Sequence, residues 1–238
     1  MLRRMGVRYA YAITQKRNSG ARKRPTHRHP VEGPPRRRRR RPANKGHRYP
    51  AEVLAADEVR ALITACSNRA PTGVRNRALI VLLYRAGCRI SEALRLCPKD
   101  LDRAAGTVTV LRGKGGTRRT IGLDPGAFAV VERWLDVRAE LGISNRAPII
   151  CTLKGKPVAS AYVRALMPRL ARRAGIEKRV HAHGLRHTHA AELALEGYPM
   201  NLIQAQLGHS SLSTTSRYLA HIAPTQLIQA MRARSWSL

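Results

Sequence analysis

The chain divides near residue 50 into a stretch that cannot bury a core and a stretch that can. Residues 1–50 carry 17 Lys and Arg against one acid, Glu32, together with six of the chain's 14 prolines. Arg36 to Arg41 run without a break, and apolar periodicity ends after about Ile13. Such a segment removes too little apolar surface from water to offset the entropy of ordering it. We read 1–50 as a disordered basic arm, which confines the fold to 51–238. The arginine run has three readings: a solvated tail, a contact to a DNA backbone, or no selected role.

The charge excess extends beyond the arm. The whole chain holds 45 Lys+Arg and 14 Asp+Glu, a formal net charge of +31, and residues 51–238 keep 28 basic against 13 acidic groups. A polyanion relieves self-repulsion of this size. Nucleic acid is the first candidate partner and an anionic membrane surface the second; a ribosomal-type basic protein is the plain alternative. No apolar run approaches the ~20 residues needed to span a bilayer, and the N-terminus lacks a signal-peptide layout. A cytoplasmic, nucleoid-associated protein without a membrane partner is expected. Cys66, Cys88, Cys97 and Cys151 lack metal-ligand spacing, so reduced thiols and no zinc are expected. Cys88 and Cys97 read as small buried side chains.

From Ala51 the apolar period is helical. Asp57 is placed to cap a helix with Val59, Leu62 and Ile63 inward. Thr72 to Ala86 reads as a second helix ending at Gly87, and Ser91 to Leu96 as a short third. The period then changes to two. Thr107 to Leu111 and Arg118 to Ile121 read as strands flanking Gly113-Lys114-Gly115-Gly116, with a third strand at Pro148–Thr152 before a turn at 154–157. Asp124 to Leu141 is a helix with Phe128, Val131 and Leu135 on one face. Further helices are expected near 160–174, 183–196, 200–207, 211–220 and 223–234. The fold class is mostly α with a small antiparallel β-sheet (α+β).

Four segments concentrate chemistry: 86–94 with Arg89 and Glu92, 113–118 with Lys114, 183–188 with His183, Arg186 and His187, and 207–218 with His209 and Tyr218. Phosphoryl transfer without a metal needs these residue types. Paired guanidiniums hold the extra negative charge of the transition state, and Arg89 and Arg186 are the candidates. A tyrosine, with a pKa near ~10, needs a proton acceptor or cationic surroundings to attack. A leaving deoxyribose oxygen needs a proton, which Lys114 on a glycine-rich hairpin can donate. His183 and Arg186 share a helix face. Each residue taken alone also has a plain reading. Arg89 can be a surface or dipole partner, Tyr218 a core residue, and His209 a solvated helix stop. His181, His187 and His189 crowd one stretch, but Arg186 between them disfavours a metal, and His187 reads as a supporting donor.

Taken in order, Arg89 with Glu92, Lys114, His183 with Arg186, His209, and Tyr218 nine residues on resemble the catalytic set of the tyrosine recombinases, the phage-integrase family. The likeness spans about Ala51 to Ala233. It implies the family's catalytic-domain fold over 51–238 and a site-specific recombinase or integrase that cleaves and rejoins DNA without metal, ATP or any cofactor. It implies that Tyr218 is the nucleophile, forming a 3′-phosphotyrosyl intermediate. Arg89, Arg186 and His209 would stabilise the transition state, Lys114 would protonate the 5′-oxygen, and His183 would assist proton transfer at the tyrosine. Glu92 and His187 would be supporting residues. The implied partners are double-stranded DNA, further copies of the chain (a tetramer at synapsis) and an accessory directionality factor.

Most members of that family carry a helical core-binding domain ahead of the catalytic one, and residues 1–50 cannot form it. Two alternatives therefore stand beside the recombinase. One is a DNA-binding or partner-dependent truncated integrase without autonomous recombination. The other is a type IB topoisomerase-like activity. The helix at 223–234, with Leu227, Ile228 and Met231 on one face, either docks into a neighbouring copy or packs on its own domain.

Overall fold

The computed structural model of the protein describes residues 52–111, 118–208 and 232. The arm at 1–50, the tip of the glycine-rich hairpin with Lys114, and the helices expected at 211–220 and 223–234 lie outside them, Arg232 apart.

Helix α2 (Pro71–Tyr84) is the centre of the core. The run Ala78-Leu79-Ile80-Val81-Leu82-Leu83 leaves it no polar face, and each of these side chains is buried. A helix apolar all round is stable only when covered on every side. Helices α4 (Pro125–Glu140) and α6 (Ala182–Leu195) supply that cover. α1 (Ala56–Thr64) packs on α5 (Ser160–Arg173), and the short α3 (Ile90–Ala93) also meets α5. α7 (Met200–Leu207) lies against α6.

Three buried donors inside the core reach across to carbonyls and a hydroxyl of other segments. Arg75 is buried and donates to the Cys151 carbonyl at 3.3 Å and to the Tyr162 hydroxyl at 2.6 Å. Arg138, 1% exposed, donates from Nη2 to the carbonyls of Ser144 and Ala147, each at 3.1 Å. The Trp134 indole N–H reaches the Ile149 carbonyl at 2.7 Å. These bonds pin the 143–151 segment, which has little secondary structure of its own, to α2 and α4.

The sheet is antiparallel in the order β1 (Leu101–Asp102), β2 (Thr107–Val110), β3 (Arg119–Gly122). Val108 faces Ile121 and Val110 faces Arg119, so the inner face of β3 holds one apolar and one cationic side chain. The third strand is therefore 101–102 and not 148–152. Cys151 makes only an isolated bridge to Pro157, because Trp134 already holds the Ile149 carbonyl and Arg75 the Cys151 carbonyl.

The first helix begins one residue before Asp57. Ala55 is the N-cap, its N–H held by Glu58 at 2.7 Å, and Asp57 lies in the first turn, where its charge still suits the helix dipole. α4 starts as expected, with Asp124 Oδ1 accepting from the Ala127 N–H at 2.9 Å and Pro125 at the first helical position. Phe128 and Val131 of α4 are buried and Leu135 is half-buried against the core. Cys88 is buried, whereas Cys97 is only partly covered.

Because Leu82 is fully buried at the centre of this packing, Leu82→Ala is expected to lower unfolding free energy by about 3 kcal/mol, as large-to-small core substitutions do. Urea denaturation of the variant beside the parent checks the figure.

Candidate active site

The described part of the site forms where α2, α3, β3, α6 and α7 end or begin together. α2 closes at Arg85, and Gly87 turns the chain with φ +60°. A Cβ there would lie 2.8 Å from His189 Cδ2 and 3.0 Å from Leu207 Cδ2, so the turn needs glycine for clearance as well as for φ. Two residues on, Arg89 is the N-cap of α3.

Glu92 organises the next layer. Its carboxylate is 4% exposed. Oε2 accepts from the Arg89 backbone N–H at 2.8 Å, and Oε1 accepts from Arg89 Nη1 at 2.8 Å. Arg119 of β3 closes on the same carboxylate with both terminal nitrogens, Nη1 to Oε1 at 2.9 Å and Nη2 to Oε2 at 2.8 Å. Burial acts to raise the carboxyl pKa, but the hydrogen bonds from Arg119, the Arg89 N–H and the Arg89 side chain outweigh it and hold the group at about 2.

Arg89 and Arg186 then converge on one point of backbone. Arg186, 1% exposed, donates from Nη1 to the Gly87 carbonyl at 2.6 Å and from Nη2 to the Leu207 carbonyl at 2.5 Å. Arg89 Nη2 donates to the Gly208 carbonyl at 3.0 Å. The Leu207 and Gly208 carbonyls close α7, where the helix dipole is negative and cations are favoured. Gly208 is the left-handed cap of α7, φ +63°. The next residue in the chain is His209, and Tyr218 lies nine further on.

α6 begins at Ala182, one residue before the expected His183, because the His181 Nδ1 accepts from the Gly184 N–H at 2.9 Å and caps the helix. His183 is exposed in the first turn. Its ring stands edge-on to His187, centroids 4.4 Å apart. Desolvation, then the charges of Arg186, His181 and Arg89, lower its pKa below the ordinary 6.5. Behind α6, Tyr84 donates to Glu192, and Arg85 joins Asp124 at 2.8 Å and Glu192 at 3.5 Å. His189 lies buried beneath Gly87, and among the described residues neither ring nitrogen has a hydrogen-bond partner. Burial first, then Arg85 and Arg186, depress its pKa to about 4.

Of the residues expected from sequence, the structure brings Arg89, Glu92 and Arg186 together at one place and sets His183 and His187 on the first turns of α6. Lys114, His209 and Tyr218 lie outside the described residues. Two residues with a part here were not anticipated: Arg119 and Gln206. The Gln206 amide spans to β3, donating to the Gly122 carbonyl and accepting from the Gly122 N–H, both at 2.9 Å. The alternation of β3 carried a signal for Arg119, since Ile121 facing inward puts Arg119 inward as well.

The phage integrase family matches residues 52–224. Tyrosine recombinase XerC of Staphylococcus epidermidis is 32% identical over 183 residues, 77% of this chain and 61% of that protein. XerC of Xanthomonas campestris pv. campestris is 36% identical over 176 residues, 74% of this chain and 53% of the relative. The crystal structure of XerA recombinase superposes with a TM-score of 0.69 at 27% identity, covering 82% of this chain and 70% of that one. XerH site-specific recombinase, in a post-cleavage complex with its palindromic difH substrate, gives 0.65 at 29% identity over 77% and 53%. The chain thus spans only 61% and 53% of the two XerC sequences.

Two buried groups contribute most to the acid response of stability, beside His181, His183 and Asp124, whose pKa values are also lowered. The unfolded chain protonates His189 near 6.5, whereas the folded chain resists until about 4, so stability present above 6.5 falls as pH drops through that window. Glu92 adds a second loss between 4.5 and about 2. His189→Leu is expected to reduce the loss in the first window and Glu92→Gln that in the second, read from urea midpoints across a pH series.

Proposed function

The chain belongs to the phage integrase family, and on that premise we propose that it is a site-specific recombinase that cleaves and rejoins double-stranded DNA through Tyr218. The observation that carries this reading is the meeting of Arg89 and Arg186 at the Leu207 and Gly208 carbonyls, immediately before His209. Two guanidiniums fixed at one point suit the non-bridging oxygens of a phosphodiester as they gain charge. Arg186 is held by the fold before any substrate arrives, and preorganised donors of this kind contribute about 3 kcal/mol each in comparable sites.

In the proposed step the Tyr218 hydroxyl oxygen attacks the scissile phosphorus, and the bond from phosphorus to the 5′-oxygen breaks. Lys114 gives its proton to that oxygen. His183, whose lowered pKa keeps it neutral at pH 7, takes the tyrosine proton. Arg89, Arg186 and His209 hold the pentacovalent phosphorus, Glu92 orients Arg89, and His187 supports His183. The 3′-phosphotyrosyl link conserves the phosphodiester's energy, so a 5′-hydroxyl reverses the reaction without ATP or metal. Four copies at synapsis, an accessory directionality factor and a cytoplasmic, nucleoid-associated setting complete the proposal. The arm at 1–50 adds salt-dependent phosphate contacts.

The test uses randomly nicked fragments of the genomic DNA that encodes the chain, with EDTA and no nucleotide. A covalent protein–DNA adduct stable in detergent is expected, absent in Tyr218→Phe, and formed roughly 10²–10³-fold more slowly in Arg89→Ala. An adduct that persists in Tyr218→Phe contradicts the nucleophile. Binding without an adduct points to a DNA-binding module, and relaxation of plasmid lacking any captured site points to a topoisomerase.

A further inference from the structure

We infer that Arg119 is a positioning residue for the cleavage reaction: by engaging the Glu92 carboxylate and packing on Gly208, it holds Arg89 in place and leaves the charge of Arg89 for the scissile phosphate. The inference rests on the recombinase reading.

The argument begins with charge. A buried carboxylate is tolerated only when its lone pairs are filled. Glu92 receives four donors, two on each oxygen, and Arg119 supplies one to each. An ionised carboxylate offers about four acceptor positions, so the set is complete. Arg89 meets Glu92 through one side-chain nitrogen, whereas Arg119 meets it with the two-pronged geometry that makes such pairs strong. The exposures divide the same way: the Arg119 side chain is 14% exposed and that of Arg89 29%. Arg119 is thus the cation spent on Glu92, and Arg89 is the one open to a ligand. With both present the cluster of two arginines and one carboxylate is a net cation. With Arg119 gone, Arg89 and Glu92 neutralise each other.

Geometry adds a second tie. A Cβ on Gly208 would sit 2.6 Å from Arg119 Cδ and 2.7 Å from Nε, so the arginine stem lies directly on the glycine backbone. The Gly208 carbonyl accepts from Arg89 Nη2 at 3.0 Å. Arg119, Glu92, Arg89 and Gly208 therefore form a closed ring of contacts joining β3, α3 and the end of α7. Among the described residues the buried Arg119 Nε has no hydrogen-bond partner, and the hydrogen bonds of the guanidinium go from its two terminal nitrogens to Glu92. The Gln206–Gly122 amide pair anchors the same strand to the same helix.

The experiment compares Arg119→Gln and Arg119→Lys with the parent on a synthetic nicked duplex bearing the captured cleavage site. One duplex carries an ordinary phosphodiester at that site and the other a methylphosphonate, in which a methyl group replaces one non-bridging oxygen and removes the negative charge. On the phosphodiester, Arg119→Gln is expected to slow adduct formation about 30- to 100-fold, less than the roughly 10²–10³ for losing a transition-state donor outright, because Arg119 acts through Arg89. On the methylphosphonate the deficit shrinks below about threefold, since less cationic charge is needed there. Arg119→Lys keeps the charge, and with it the fold, and falls between the parent and Arg119→Gln on the phosphodiester. Equal deficits on both duplexes in either variant would mark Arg119 as a structural ion pair and overturn the inference, as would a parental rate in Arg119→Gln. No adduct from the parent on either duplex would instead overturn the recombinase reading, and the role with it.

Discussion

The site is organised around one buried carboxylate. Glu92 is ionised inside the protein because four donors surround it, and its pKa of about 2 reports how strongly they do so. Everything placed near it follows. Arg89 takes its orientation from the carboxylate three residues ahead, β3 is drawn in by Arg119, and Gly208 is pressed between the two arginines. Burying an ion pair is costly in general, and breaking one partner of a buried pair costs about 3–5 kcal/mol. Such a cluster is a weak device for stability but a precise one for geometry. It gives one arrangement of two guanidiniums and penalises the alternatives.

Arg186 performs the matching task from the other side. Its guanidinium joins the turn after α2 to the end of α7 through the Gly87 and Leu207 carbonyls. Both segments depend on the apolar interior: α2 because it is buried on every face, α7 because Ile203 and Leu207 pack against Ala190 and Ala194 of α6. The hydrophobic core therefore fixes the backbone carbonyls that aim the arginine. A core substitution that shifts α2 or α7 by a fraction of an ångström disturbs the charge geometry even where the fold survives.

Much of this was legible in the sequence, for identifiable reasons. Arg89 and Glu92 stood out through their order among the other segments and the family likeness, and in the structure the Glu92 carboxylate accepts from the Arg89 N–H and side chain. The change of period at 107–121 marked the hairpin, and the all-apolar run of α2 marked the central helix. Arg119 was hidden because its partner is 27 residues away; only strand alternation hinted at an inward charge. The third strand was misplaced because 148–152 is apolar through burial against Trp134 and Arg75, not through pairing, whereas the two-residue strand at 101–102 is too short to show a period. Asp57 has a side chain suited to capping, but the helix starts at Ala56, with Glu58 reaching back to the N–H of the Ala55 N-cap. Lys114, His209 and Tyr218 lie outside the described residues, so their place in the site rests on chain order and family membership.

The central claim is that these cations serve an attack by Tyr218, and identifying the linked residue tests it most directly. Trypsin cuts after Arg217 and next after Arg232, so Tyr218 falls in a peptide of residues 218–232 that contains no other tyrosine. After exhaustive nuclease digestion of the covalent complex, mass spectrometry should find a nucleotide joined through its 3′-phosphate to the Tyr218 side chain of that peptide. A nucleotide on any other residue, or a 5′-phosphate linkage, would contradict the account.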